Sequence, residues 1–478
     1  MLRMITVALM LTGCTGGTLE VVVDDPTTGV TGTQPTNPTQ TTNPTTTTTQ
    51  ADGLLANVRA RRHDSLASII YVGWEQSASA DAYVEWRLTD EDWRATPTAS
   101  RGAGAHEQIV LGAPYEENIT WRLVIETADG WTTSEERQIS AEPLPEGLPA
   151  VSLLNSEPTL WDPTGNYLLA SVNQQEGGWT QGNYWKVIVD RQGRVVWASL
   201  TTDYRWTLYM RVSQDGSDLL YDAATWWAWF DNGAGSTVTR MKIDGTEAET
   251  YNTPGLHHGF VDMPDRSVVW GRDQGPDELL ERVTPDGARE TIWSCRDFHA
   301  SIDEDDATCW SNALSWNASS DTFVFSSPNT DTVVEVDHQT GETLRHWGSL
   351  NDSYAFDPPN SKFLFQHGVA YTPEGTLILS SKSLVENETL VREYVVDDET
   401  RTLRQIWAFG EGEGVYAETA GEAHRLPNGN TLHNYGSHGT VREVNQEGTV
   451  VWEITWREDS DRLIGRTIWI EDLYALAP

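Results

Sequence analysis

From residue 150 to the end of the 478-residue chain, one pattern recurs six times. An apolar strand runs into a turn rich in Pro, Asp and Gly, and a second apolar strand follows. Clear copies are 161–169 (Trp161-Asp162-Pro163-Thr164-Gly165-Asn166-Tyr167-Leu168-Leu169) and 212–220. Others centre on Pro264-Asp265, Ser319-Ser320, Pro373-Glu374-Gly375 and Pro427-Asn428-Gly429. Counted on Gly165, Gly216, Asp265, Ser320, Gly375 and Gly429, the steps are 51, 49, 55, 55 and 54 residues. Between them lies a second hairpin, sharpest at Val189–Trp197, Val336–Leu344 and Val444–Trp452. Weaker forms occur at Ile243-Asp244-Gly245, Thr284–Gly287 and Val396-Asp397-Asp398. A four-stranded unit of this kind cannot bury both faces alone, so its copies must stack on one another. Six copies predict a six-bladed β-propeller over residues 150–478.

The region before the repeats is also β-patterned. Runs at 69–74, 82–88, 109–111 and 119–125 alternate apolar and polar residues between turns. The spacing predicts a β-sandwich over residues 54–146. Its Trp74 and its Ala82-Tyr83-Val84-Glu85-Trp86 run resemble a fibronectin type III-like module. Leu144–Pro149 is a Pro-rich hinge. The chain is expected to be all-β.

The first 13 residues form a short apolar signal that ends in Leu11-Thr12-Gly13-Cys14. The apolar run is about half the length of a membrane span. The tetrapeptide looks like a bacterial lipobox, which implies a lipid anchor on Cys14. Thr15 after it favours the outer membrane. Residues 14–53 then form a Thr/Pro-rich linker that cannot bury apolar surface. Export places the remaining pair, Cys295 and Cys309, in an oxidising compartment. This predicts a disulfide, with two separate buried thiols as the alternative. A net charge of −39 excludes nucleic-acid binding. The acidic run Asp303-Glu304-Asp305-Asp306 is read as a solvated loop rather than a calcium site, and no metal or cofactor is expected. The run Trp226-Trp227-Ala228-Trp229-Phe230 is read as blade packing rather than as an aromatic pocket.

In a ring of repeats, equivalent positions point to the same axis. His258 and His367 each lie six residues before the turn proline, Pro264 and Pro373, and each is followed by glycine. Two imidazoles in one register suggest a nucleophile, base or ligand pair. His424 is out of step with them: it lies five residues before Gly429, whereas His367 lies eight before Gly375. Strand alternation turns it to the other face unless a bulge intervenes. His257 is expected to face away from His258.

Over residues 54–478 the chain resembles the bacterial arylsulfate sulfotransferases. The stretch 310–385 carries the likeness most clearly, through Asn312, Ser326-Ser327, the 337–342 hairpin, Trp347-Gly348 and Gln366-His367. Arg425–Leu432 adds to it. The resemblance implies sulfuryl transfer from an aryl sulfate to a phenol, with His367 as nucleophile and His258 in support. It places Two positions depart from the family pattern. A histidine is replaced by Trp310 and a sulfate-binding arginine by Pro328. Arg205, Arg211, Arg240 and Lys362 are the candidate replacements. The alternative is a catalytically degenerate propeller that binds a ligand or a cell-surface partner.

Overall fold

A computed structural model describes residues 53–128, 130–175, 182–203, 205–226, 231–383, 387–457 and 462–478. The expected signal, Cys14 and the linker up to residue 52 lie outside the described residues, as do residues 227–230 of the Trp-rich run. The described chain is built of β-strands, with one short α-helix, Cys295–Ser301, among the described residues.

The segment 55–139 forms a three-stranded and a six-stranded sheet. Val72 and Trp74 of one share a core with Val84, Trp86, Trp121 and Leu123 of the other.

Six further antiparallel sheets follow, each starting from one strand of the repeat. Their first strands are Ile464–Ile470, Met210–Val212, Leu256–Asp262, Ala313–Asn317, His367–Tyr371 and Glu422–Arg425. The strands beside them are buried on both sides. Tyr184–Asp190 has no exposed residue and Thr322–Ser327 none either. This is why they read as continuous apolar runs rather than alternating ones. The turns are fixed by short side chains that cap their own backbone. Asp215 Oδ1 and Asp265 Oδ1 accept from the amides of Ser217 and Ser267 at 3.1 and 3.0 Å.

Tryptophan joins neighbouring sheets. Trp197, Trp293, Trp407 and Trp452 each lie on the outermost repeat strand of a sheet. Each indole N–H donates to the next sheet in order, at Ile243 O (2.9 Å), Thr343 Oγ1 (2.9 Å), Gln446 O (3.0 Å) and Arg191 O (2.8 Å). The last of these runs from the sixth sheet to the first. The abundance of Trp therefore has a packing cause: a large apolar ring with one donor fits a site that is dry on one side.

The order of the first sheet is the main departure from the simple repeat. Its first strand, Ile464–Ile470, comes from the C-terminus and pairs with Tyr167–Asn173. In return, Ser152–Ser156 adds to the sixth sheet beside Val450–Thr455. The two ends of the repeat region are thus bound by two strand exchanges. Cys295 and Cys309 form a disulfide, with Cα atoms 5.8 Å apart. It ties the helix to the segment that leads into Trp310.

Truncation after Arg462 should remove the cooperative thermal transition followed by circular dichroism, because Tyr167–Asn173 becomes an unpaired buried edge. A truncated chain that melts like the full one would contradict the pairing's importance.

Candidate functional site

His258 lies on Leu256–Asp262 and His367 opens His367–Tyr371, so both sit on first strands. The glycine after each histidine has a definite spatial reason. A Cβ on Gly259 would meet the Tyr209 ring at 2.6 Å. A Cβ on Gly368 would meet Arg466 Nη1 at 2.6 Å and collide with the Glu422 backbone. Gly368 also has φ +61°. The two glycines therefore let Tyr209, Glu422 and Arg466 close in beside the histidines.

Arg466 is the cation of this site. It projects from the C-terminal strand of the first sheet, one residue beyond Gly465. Its Nη1 donates to Glu422 Oε2 at 2.7 Å, and its Nη2 donates to the Tyr209 hydroxyl. Tyr209 Oη also lies 3.4 Å from the carbonyl of Asn312. Glu422 accepts from the amide of Thr467 as well. Burial opposes the charge on Glu422, but His424 and Arg466 hold its carboxyl down to about 2.

The protonation of His367 follows from its two contacts. Its Nδ1 lies 3.1 Å from Phe365 O, which only accepts, and its Nε2 takes the Ala420 N–H at 3.2 Å. One neutral tautomer satisfies both, with the proton on Nδ1. Burial is the main cause that pushes the imidazole down to about 3, with Arg466 and Lys382 adding to it and the Phe365 carbonyl opposing. His258 is lowered well below its ordinary value by burial first, then by His257, His367 and Arg466. Both imidazoles are neutral bases at neutral pH. Lys382, with Nζ 4.0 Å from the centre of the Phe365 ring, is the second nearby cation.

His257 does not face away from His258. The rings are 4.8 Å apart and edge-on, with the Nδ1 atoms at 2.5 Å. A register shift between Leu256 and Phe260 breaks the simple alternation. Trp310 Nε1 donates to His257 Nδ1 at 3.2 Å, and Glu278 Oε1 lies 3.3 Å from His257 Nε2. Trp310 also stands 6.1 Å from the His258 ring and 6.0 Å from Trp226. The position that departs from the family's histidine is thus an aromatic wall.

The other expected residues are placed as follows. Asn312 is buried, its Nδ2 donating to Gln366 O at 2.7 Å and its Oδ1 accepting from Ser326 Oγ at 2.9 Å. Both ends of the amide brace the residue before His367. His424 Nε2 lies 2.8 Å from Glu422 Oε2, so it meets the site through that carboxylate. Pro328 opens a short 3-10 turn. Arg205 donates to Gly235 O and Arg240 is held by Asp218 and Asp262. Arg211 donates to Phe260 O at 3.1 Å, and its charge reaches Arg466 and Tyr209. The sequence reading missed Arg466, Tyr209, Glu422 and Lys382. One signal was available for Arg466: an apolar strand at 464–470 remains after the sixth repeat, while no such strand precedes the first.

Gly368→Ala should cost about 1–3 kcal/mol of stability in urea unfolding, from the left-handed φ and the contact with Glu422. A change within about 0.5 kcal/mol would contradict this close approach.

A family model described as Arylsulfotransferase (ASST) matches residues 289–464. No curated protein matches the chain. Among solved structures, it is similar to a virginiamycin B lyase from Staphylococcus aureus, at 12% identity and a TM-score of 0.35, over 63% of this chain and 87% of that one. It is also similar to a chain of a nidogen/laminin complex, at 10% identity and TM-score 0.39, over 63% and 98%. A hydrazine synthase from Kuenenia stuttgartiensis is similar at 12% identity and TM-score 0.34, over 52% and 66%. The chain bears a distant resemblance to the arylsulfotransferase and β-propeller proteins.

Proposed function

We propose that the chain is an exported sulfuryl transferase whose six repeat sheets close into a six-bladed propeller, preceded by a β-sandwich. In this reading Cys14 carries a lipid anchor and the protein works in the cell envelope, at the outer membrane. The observation that supports catalysis most is Arg466, a cation whose charge reaches both His258 and His367.

The reaction would run in two displacements. His367 Nε2 attacks the sulfur of an aryl sulfate and an N–S bond forms. The S–O bond to the ring breaks, and its electron pair leaves on the phenolate oxygen, which takes a proton. A phenol then attacks the same sulfur, the N–S bond breaks, and the acceptor's proton is released. His367 returns to its neutral form. The Nδ1–H bond to Phe365 keeps the reacting lone pair on Nε2. That lone pair rests on the Ala420 amide, so the arriving sulfate must displace this contact. Arg466 and Lys382 supply positive charge for the sulfate oxygens as charge shifts in the transition state. Trp310 and Trp226 offer faces for an aromatic ring. Asn312 acts as a positioning residue through Gln366. Glu422 holds Arg466 in place, and His424 stands behind Glu422.

A specific observation favours the binding-only alternative: Arg466 already donates to Glu422 and Tyr209. The two readings part in one assay. Purified protein given an aryl sulfate and a phenol should transfer the sulfuryl group. His367→Ala should abolish transfer, and Arg466→Gln should lower kcat by about 10²-fold. No turnover, or turnover unaffected by His367→Ala, would leave the binding reading. The pH profile is a further check. Protonation silences the nucleophile, and the folded His367 takes its proton at about 3. The rate should therefore hold level from neutral pH down to about pH 4 as far as this group is concerned. An acid limb near 6.5 that His367 carries would contradict the buried neutral imidazole.

A further inference from the structure

Three arginines are buried among the described residues: Arg191, Arg240 and Arg392. The first two have carboxylates against them. Arg191 meets Glu443 at 2.5 Å, and Arg240 meets Asp218 at 3.2 Å and also Asp262. Arg392 has none among the described residues. Its Nη1 donates to the neutral amide oxygen of Gln405 at 2.6 Å, and its Nε has no partner. A guanidinium taken out of water without an anion is costly. In a chain of net charge −39, where carboxylates are plentiful, this one stands out.

Arg392 lines a cavity of about 410 Å³ beside the fifth repeat sheet. This is within the range of small-molecule sites, roughly 300–1,000 Å³. Ser361 also lines it, and its hydroxyl is a second buried group with no partner. Leu390 and Phe409 give the wall an apolar part, and Glu411 stands among the lining residues with no ion-pair partner among the described residues. The cavity thus presents a cation, a hydroxyl, an apolar surface and a carboxylate. None of its lining residues belongs to the histidine site.

We propose that this cavity binds a small zwitterion with an apolar side chain, an α-amino acid or a dipeptide. The ligand carboxylate would pair with Arg392 and accept from Ser361. Its ammonium would meet Glu411, and its side chain would lie on Leu390 and Phe409. A planar carboxylate suits the fork of a guanidinium, and Glu411 disfavours a dianion such as inorganic sulfate.

Isothermal titration of the full chain with L-phenylalanine and with the dipeptide L-leucyl-L-phenylalanine tests this. At least one should bind at one site per chain. The C-terminal amide of the bound probe, which lacks the carboxylate, should bind at least about tenfold more weakly to the same protein. Arg392→Gln should lose affinity by a similar factor, and Glu411→Gln should weaken it too. The amide comparison needs no variant, so it decides the matter even where Arg392→Gln fails to fold. Failure of both probes to bind would overturn the proposal. So would an amide that binds as well as the acid, or a folded Arg392→Gln chain with unchanged affinity.

Discussion

The pairing of Ile464–Ile470 with Tyr167–Asn173 holds the rest of this structure in place. It does two things at once. It supplies the first strand of a sheet whose other three strands lie about 300 residues earlier, and it delivers Arg466 beside His258 and His367. A chain whose last strand completes its first sheet has its ends held together by a ladder of hydrogen bonds. The exchange of Ser152–Ser156 onto the sixth sheet strengthens this. Structure and candidate chemistry therefore depend on one strand.

The site shows how a lost residue can be compensated from a different part of the fold. Pro328 stands where the sulfotransferase resemblance places an arginine, and proline brings neither charge nor N–H. A cation reaches the histidines from another strand instead. Its position requires space, and the space comes from Gly259 and Gly368. It also requires a counter-charge, because a half-buried guanidinium without an acid would be costly. Glu422 answers that need with a carboxyl held down to about 2. The same low-dielectric surroundings keep the two imidazoles neutral, which is the state a nucleophile needs.

Much of this was legible in the sequence. The six turns and their spacing point to six repeat sheets, because hairpin turns have strong residue preferences. The His-Gly pairs also stood out, since a fixed register makes repeats comparable. The disulfide followed from an even cysteine pair in an exported chain. Arg466 was not legible as a site residue, because its neighbours, Tyr209 and Glu422, are 257 and 44 residues away in sequence. Only the pairing of the C-terminal strand brings them together. The contact of His257 with His258 was also missed. A register shift in Leu256–Asp262 breaks the alternation on which the expectation relied. Asn312 shows a third limit: its amide could serve a substrate or the backbone, and only the fold shows it bound to Gln366 and Ser326.

The central claim is that Arg466 equips a neutral His367 to take a sulfuryl group. Peptide mapping by mass spectrometry, after brief exposure of the full chain to an aryl sulfate without acceptor, tests it most directly. The account predicts a sulfuryl adduct on the peptide that contains His367, sharply reduced in a folded Arg466→Gln chain and discharged when a phenol is added. An unmodified His367 in the wild-type chain, or an adduct that forms equally well without Arg466, would contradict it.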